Sequence, residues 1–182
     1  LNRGTVRSMA GRDVTKLLDG GHFYEGPRWY DGTWWVSDFY RNVVFTVTPD
    51  GTETQVLEVP GQPSGLGWLP DGTLLVVAMR DRKVLRATGD GGTEVHADLD
   101  GVAAPGLLND MVVSATGHAY VGGFGFDLMA GETPQTSAIC HVSPDGSVEL
   151  AAEGLHFPNG SVITPDGGTL VVGETMGCRY TA

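Results

Sequence analysis

The stretch "HFPNGSVITPDGGTLVV", residues 156–172, contains the features that decide the fold. A short apolar run leads into a Pro-Asp-Gly turn, and a second apolar run follows it. Short β-branched runs on either side of an Asp-Gly pair predict a β-hairpin. Far upstream, "HFYEGPRWYDGTWWV", residues 22–36, has the same layout, with Glu25 in the place of Asn159. Two copies of one hairpin so far apart indicate an internal repeat.

The hairpin occurs four times along the chain. The copies are "RWYDGTWWVSDF" (28–39), "GWLPDGTLLVVAM" (67–79), "VVSATGHAYVGGF" (112–124) and "VITPDGGTLVVGET" (162–175). Their turn glycines, Gly32, Gly72, Gly117 and Gly167, are spaced by 40, 45 and 50 residues. A second hairpin lies between successive copies, over 43–59, 83–99 and 138–153. A unit of four strands of this size is typical of one blade of a β-propeller.

The repeat predicts an all-β chain with one partial propeller domain over residues 1–182. Its blades span about 20–60, 61–104, 105–154 and 155–182, the last one incomplete. A strand over about 5–19 precedes them, and 126–137 reads as a surface loop inserted in the third blade. Because propellers close into rings of about four to eight blades, three and a half blades predict an N-terminal fragment of a larger ring. A solenoid of β-hairpins is the alternative.

Composition excludes several classes of function. The net charge is -11 with 11 Lys and Arg, and no basic cluster appears, so we expect no nucleic-acid partner. No apolar run approaches the roughly 20 residues of a membrane helix, and without a secretion signal a cytoplasmic location is expected. Cys140 and Cys178 are too few for a disulfide framework and are expected to be reduced, partly buried thiols. The oligomeric state is not predicted.

One position recurs before each turn glycine. It holds Glu25 seven residues before its glycine, and Ser64, Asn109 and Asn159 eight residues before theirs. The first strand of each blade lines the channel of a propeller, so these side chains are expected to converge at one end of it. Carboxylate and amide oxygens suit calcium or another divalent cation, and such a site predicts Glu25, Asn109 and Asn159 oxygens within roughly 6 Å of one point. The alternative is that these residues only form turns and caps.

Other side chains are weaker candidates for a functional role. His22 and His156 each lie three residues before a candidate ligand, where a histidine can carry protons. Strict strand alternation points Asp110 away from the channel, where it is expected to hold backbone amides. The aromatic residues Trp34, Trp35 and Trp68 are expected to pack between blades. No Gly-x-Ser-x-Gly elbow is present, which disfavours a serine nucleophile.

The chain resembles the SMP-30/gluconolactonase/luciferin-regenerating-enzyme family. The resemblance rests on "EGPRW" (25–29), "PSGLGWLPDGTLLV" (63–76), "NDMVV" (109–113) and "FPNGSVITPDGGTLVVGET" (157–175). It extends over nearly the whole chain from residue 11 on, and the ordered set is more specific than any one motif. It implies a six-bladed β-propeller, one divalent metal ion in the channel, and a hydrolase of carboxylic ester bonds that opens a small-molecule lactone.

The resemblance also implies roles for individual residues. Glu25 and Asn159 would bind the metal, with calcium first and zinc, manganese or magnesium as alternatives, and Asn109 would face metal and substrate. The family's third ligand, an aspartate that also serves as general base, belongs to a later blade and has no counterpart here, so the fragment alone is expected to be inactive. Leu107 replaces an arginine found in sugar-lactone members, which leaves a less polar lactone or ester open. The alternative function is a non-catalytic binding scaffold like NHL-type propellers.

Overall fold

A computed structural model describes residues 5–7, 13–128 and 130–182, with side chains from residue 16 on. Within these ranges the chain consists of β-strands and turns, without a helix. The first two strands, β1 (Thr5–Arg7) and β2 (Asp13–Thr15), pair antiparallel with each other. The segment predicted as one strand over about 5–19 is therefore a pair of short strands, and residues 8–12 of that prediction lie outside the described ranges.

The remaining strands form four antiparallel sheets, each with its strands side by side in chain order. The first sheet contains β3 (Tyr24–Tyr30), β4 (Thr33–Asp38), β5 (Val43–Val47) and β6 (Glu53–Glu58). The second contains β7 (Pro63–Trp68), β8 (Leu74–Ala78), β9 (Lys83–Ala87) and β10 (Thr93–Asp98). The third contains β11 (Leu108–Val113), β12 (Ala119–Gly123), β13 (Ser137–Val142) and β14 (Val148–Leu155). The fourth contains β15 (Pro158–Ile163), β16 (Leu170–Glu174) and β17 (Arg179–Thr181). The architecture is an all-β, propeller-like set of four blades.

The hairpin turns explain the spacing of the repeat. In the first blade Tyr30 pairs directly with Thr33, and the two residues between them, Asp31 and Gly32, both have positive φ, 47° and 76°. This is the two-residue turn that favours Asp-Gly. In the second blade the amide of Gly72 donates to the Leu69 carbonyl, three residues back, at 2.9 Å. The turn of the first blade therefore has one residue fewer before its glycine than the turn of the second. For this reason Glu25 lies seven residues before Gly32, whereas Ser64 lies eight residues before Gly72.

The apolar core lies between neighbouring blades. Val44 of the first blade packs in one cluster with Leu66 of the second, and Val77 of the second packs in another with Met111 of the third. A smaller cluster joins the third and fourth blades through Ile139, Leu155 and Val172. Burying one such side chain stabilises a fold by about 1.5–3 kcal/mol. Contacts between neighbouring blades therefore contribute to the stability of each one.

The tryptophans divide between two environments. Trp35 and Trp68 pack against the cluster between the first two blades, and Trp68 stacks on Tyr30 with 4.0 Å between the ring centroids. Trp34 instead lies on the opposite face of the first blade, where it contacts Trp29 and is 38% exposed. That face also lines an apolar cavity of about 230 Å³. No other described blade covers this face of the first blade.

Three smaller sequence expectations can be compared with the structure. Cys140 is buried and Cys178 is exposed rather than partly buried, and both are free thiols. Burial raises the pKa of the Cys140 thiol to about 11. The inserted segment 126–137 is mostly exposed, although Phe126 is buried and Ser137 already begins β13. Among the described residues there is no helix with the length and apolar character needed to cross a membrane.

Candidate active site

The first strands of the four blades face one another. Strand β7 contacts both β3 and β11, and β11 contacts β15. In each blade the carbonyl of one residue, Phe23, Gln62, Leu107 or Phe157, accepts a hydrogen bond from the residue just after the second strand. Glu25, Ser64, Asn109 and Asn159 each lie two residues beyond that carbonyl. The register therefore places the four side chains at equivalent positions of their blades.

A β-bulge marks this position in every blade. The pairing of the first two strands shifts register between Glu25 and Arg28, Pro63 and Leu66, Leu108 and Met111, and Pro158 and Ser161. A bulge inserts one extra residue and re-aims the side chains beside it. The candidate residues thus lie where strict alternation of side chains is interrupted.

Neighbouring polar groups hold the amide side chains of the site. Ser64 and Asn109 are buried, and the Ser64 hydroxyl donates to Asn109 Oδ1 at 3.5 Å. Asn159 is half-buried, and its Nδ2 donates to Thr175 Oγ1 at 3.3 Å. With its nitrogen engaged, Asn159 has Oδ1 available as a ligand atom. The convergence of Glu25, Asn109 and Asn159 oxygens within roughly 6 Å, the span expected of ligands to one cation, stays a prediction.

Glu25 is half-buried and lies within electrostatic range of a second carboxylate. Burial first, and then the negative charge of Asp110, raises the pKa of the Glu25 carboxyl, while the Gly26 amide and Arg28 act in the opposite direction. A carboxylate whose charged form is disfavoured by burial and by a like charge is stabilised by a cation. The electrostatics at Glu25 therefore favour a positively charged ligand.

Asp110 does not point away from the channel as strand alternation predicted. Its Oδ1 forms an ion pair with Arg28 Nη2 of strand β3 at 2.7 Å, which joins the third blade to the first. The same oxygen accepts the Met111 backbone amide at 2.8 Å, so the expected contact with a backbone amide is present. The physical reason for the difference is the bulge of β11, which contains Asp110 and breaks the alternation.

Two buried carboxylates, which the sequence analysis did not single out, hold the loops that lead into the site. Asp38 accepts the backbone amides of His22 and Phe23 at 2.8 and 3.1 Å, and Glu174 accepts that of His156 at 2.7 Å. The two histidines thus contribute their backbone amides to the support of these loops. The repeat contains the signal for these two acids. Only the first and fourth hairpins, "VSDF" and "VGET", have an acidic residue at the end of the second strand.

Glu174 is expected to stabilise the fourth blade strongly. It also accepts from Arg179 Nε at 2.6 Å and from the Thr181 hydroxyl, and these hydrogen bonds, led by that of Arg179, lower the pKa of Glu174 to about 2. Glu174→Gln should reduce the free energy of unfolding by about 2 kcal/mol, the typical value for hydrogen bonds to a charged group. Chemical denaturation of the variant and of wild type measures the difference.

The pH dependence of that difference follows from the sign of the shift. Because the pKa is depressed in the folded state, the stabilisation is fully present above the unfolded value of about 4.3. It is lost as the pH falls toward about 2. The control is Glu153→Gln, which removes an exposed carboxylate from β14 and should leave stability unchanged. An equal loss of stability at pH 7 and near pH 2 would contradict the role of the charge.

The donor set of the channel fits a hard divalent cation. Within the described ranges no group of three or more His, Cys, Asp or Glu side chains is arranged to hold a metal ion. The candidate set instead combines one carboxylate, Glu25, with the amide oxygens of Asn109 and Asn159. Carboxylate and amide oxygens are preferred calcium ligands. The negative charges of Glu25 and Asp110 lie beside the positive charge of Arg28. The chemistry of these residues therefore suits calcium better than soft transition metals.

The fold and this channel define the class of protein as a β-propeller with a polar site on its first strands. A family model described as the SMP-30/Gluconolactonase/LRE-like region matches residues 23–182. The chain belongs to this family. The resemblance identified from the four sequence motifs is thereby confirmed. No curated protein matches the sequence.

Solved structures with this fold belong to proteins of different kinds. A gluconolactonase from Xanthomonas campestris aligns over 88% of this chain and 57% of its own, with 23% identity and a TM-score of 0.74. A calcium-binding regucalcin from Agrobacterium tumefaciens aligns over 88% and 53%, with 23% identity and a TM-score of 0.71. A nidogen–laminin complex aligns over 83% and 56%, with 16% identity and a TM-score of 0.66. These TM-scores establish the shared fold, and the chain spans little more than half of each of these structures.

Proposed function

We propose that this chain is part of a metal-dependent lactonase, a hydrolase of carboxylic ester bonds that resembles gluconolactonases. The observation that carries the proposal is the equivalent register of Glu25, Asn109 and Asn159 on the first strands. The family membership and the gluconolactonase among the structural neighbours support it. The complete ring would have six blades, of which residues 1–182 would form one partial domain with blades at about 20–60, 61–104, 105–154 and 155–182.

Glu25, Asn109 and Asn159 would hold one divalent metal ion. Calcium is favoured by the oxygen donors and by the calcium-binding neighbour, with zinc, manganese and magnesium as alternatives. When bound, such an ion polarises a carbonyl and lowers the pKa of a bound water. Glu25 supplies the negative charge of the ligand set, and its burial makes that charge costly without a cation.

The two asparagines would have different tasks. Asn159 is held through Nδ2 by Thr175, so that it presents Oδ1 as a ligand. Asn109, buried beside Ser64, would orient the substrate carbonyl as well as contact the metal. We assign no general base among the described residues, since the Asp110 carboxylate is held by Arg28 in an ion pair. For this reason the 182-residue chain by itself is proposed to be inactive.

The substrate would be a small-molecule lactone, without nucleic-acid or membrane partners, acted on in the cytoplasm. Leu107, buried in part against the core beside Asn109, offers no charge to a sugar acid. A less polar lactone or ester therefore fits this side of the site. The second candidate function is a non-catalytic binding scaffold. It is favoured by the nidogen–laminin neighbour, which has the same fold in a protein complex.

Metal removal separates the two functions. The full-length gene product, stripped with a chelator, should lose hydrolysis of a panel of γ- and δ-lactones and recover it when calcium or manganese is added back. Metal content by atomic emission and lactone opening by a pH indicator are the measurements. A protein that purifies without bound metal, binds none on titration and opens no lactone would be a scaffold, and the lactonase proposal would be wrong.

A further inference from the structure

Arg28 joins two blades across the channel. It lies on β3, three residues after Glu25 and on the far side of the bulge, yet its Nη2 reaches Asp110 Oδ1 and the Met111 carbonyl on β11, both at 2.7 Å. The first and third blades are not sequence neighbours, so this contact passes over the second blade. The side chains of Arg28 and Asp110 are only 25% and 9% exposed. Such a partly buried, two-point contact fixes the position of both groups.

The contact occupies one oxygen of Asp110 and leaves the other facing the site. Oδ1 accepts both Arg28 Nη2 and the Met111 amide. Oδ2 faces the bulge of β15, where a Cβ placed on Gly160, the residue after Asn159, would lie 4.0 Å from it. Asp110 also follows Asn109 directly in the chain. The carboxylate therefore lies close to Gly160 and within electrostatic range of Glu25, while Arg28 holds it by one end.

The charge of the site depends on this arrangement. Glu25 and Asp110 are close enough for the charge of one to act on the other, and Arg28 balances one of the two negative charges. At an effective dielectric constant of about 20, one unit charge roughly 8 Å from a divalent cation changes its binding by about a thousandfold before solvent screening, which reduces the effect. A channel with both carboxylates free would bind divalent cations more tightly than the channel as it stands.

We propose that Arg28 is a positioning residue that holds Asp110 away from the cation and thereby sets the affinity of the channel for divalent metal ions. The inference rests on the proposed metal site and goes beyond it, because neither Arg28 nor Asp110 is among the proposed ligands. Arg28 also lines two cavities, of about 370 and 760 Å³, at the turn end of the first strands. It thus lies between the ligand positions and the other end of the channel.

A pair of charge-neutralising variants tests the proposal. In the full-length gene product, Arg28→Met should tighten calcium and manganese binding about tenfold, and Asp110→Asn should weaken it about tenfold. The double variant restores the wild-type charge and should bind within about twofold of wild type. Isothermal titration calorimetry with each metal chloride alone measures all four affinities, independently of catalysis.

Arg86→Met is the matched control, because Arg86 pairs with Glu94 on the exposed outer strands of the second blade. It removes the same charge from the protein and should leave metal affinity unchanged. The inference is overturned if wild type binds metal and Arg28→Met binds equally or more weakly, or if the double variant keeps the affinity of Arg28→Met. If wild type binds neither metal, the proposed function itself is wrong, and this inference with it.

Discussion

Glu25→Gln is expected to lower the lactonase rate of the full-length gene product by roughly 100-fold or more. Loss of residues that merely orient a metal ligand costs about 10–100-fold, and Glu25 is the anionic member of the ligand set itself. Glutamine keeps the shape of the side chain but removes the charge that burial and Asp110 make costly without a cation. The bound metal should be lost together with the rate, while the circular dichroism spectrum stays that of wild type.

Asn109→Ala provides the contrast to this variant. Because Asn109 is assigned to orient the substrate, its loss should retain the bound metal and reduce turnover by about 100-fold, as misplacement of a reacting group does. Glu94→Gln, on the exposed edge strand β10, serves as the surface control with no expected effect. Should Glu25→Gln keep near wild-type rate and metal content, the metal-hydrolase proposal fails and the binding scaffold takes its place.

The 182-residue chain, expressed alone, is expected to self-associate rather than to behave as a monomer. Its first blade exposes Trp29 and Trp34, at 53% and 38%, beside an apolar cavity, and its fourth blade exposes Val162 and Tyr180, at 61% and 83%. Exposed apolar patches favour association, and the outer edge of β17, which pairs with no further strand among the described residues, offers backbone groups to another chain. Size-exclusion chromatography with light scattering measures the mass.

A combined variant tests whether these exposed apolar residues cause the self-association. The variant combines Trp29→Ser and Trp34→Ser on the first blade with Val162→Thr and Tyr180→Ser on the fourth. It should shift the population toward the monomer. Val95→Thr, which alters a comparably exposed residue on the outer strand of the second blade, should leave the assembly unchanged. A monodisperse wild-type monomer that opens lactones at a substantial rate would contradict both the association and the proposed inactivity of this chain.

The repeat and the site positions could be predicted because they depend on local chemistry. The Asp-Gly turns fix where each hairpin reverses, and counting back from their glycines reaches equivalent residues of the first strands. Even the count of seven for Glu25 follows from the two-residue turn at Asp31 and Gly32. The assignment of these residues as ligands is a separate matter and stays a prediction.

What could not be predicted depends on pairing and on closure of the blades. The orientation of Asp110 follows from a bulge, which is a property of two paired strands and does not appear in the alternation of one. Its partner Arg28 is 82 residues away in the chain, and only the curvature of the blade array brings them together. The buried acids Asp38 and Glu174 were visible in the repeat, but the backbone amides that both of them accept leave no sequence pattern.

The bulge on each first strand has a consequence for how such a protein diversifies by gene duplication. It sets two consecutive residues apart from the strand pairing: Gly26–Pro27, directly after Glu25, in the first blade, and Ser64–Gly65, Asn109–Asp110 and Asn159–Gly160 in the others. The core residues of the first strands, such as Leu66 and Met111, lie outside the bulges. Point mutations at or beside these bulges therefore change the polar groups of the first strands, and the inherited packing around them need not change.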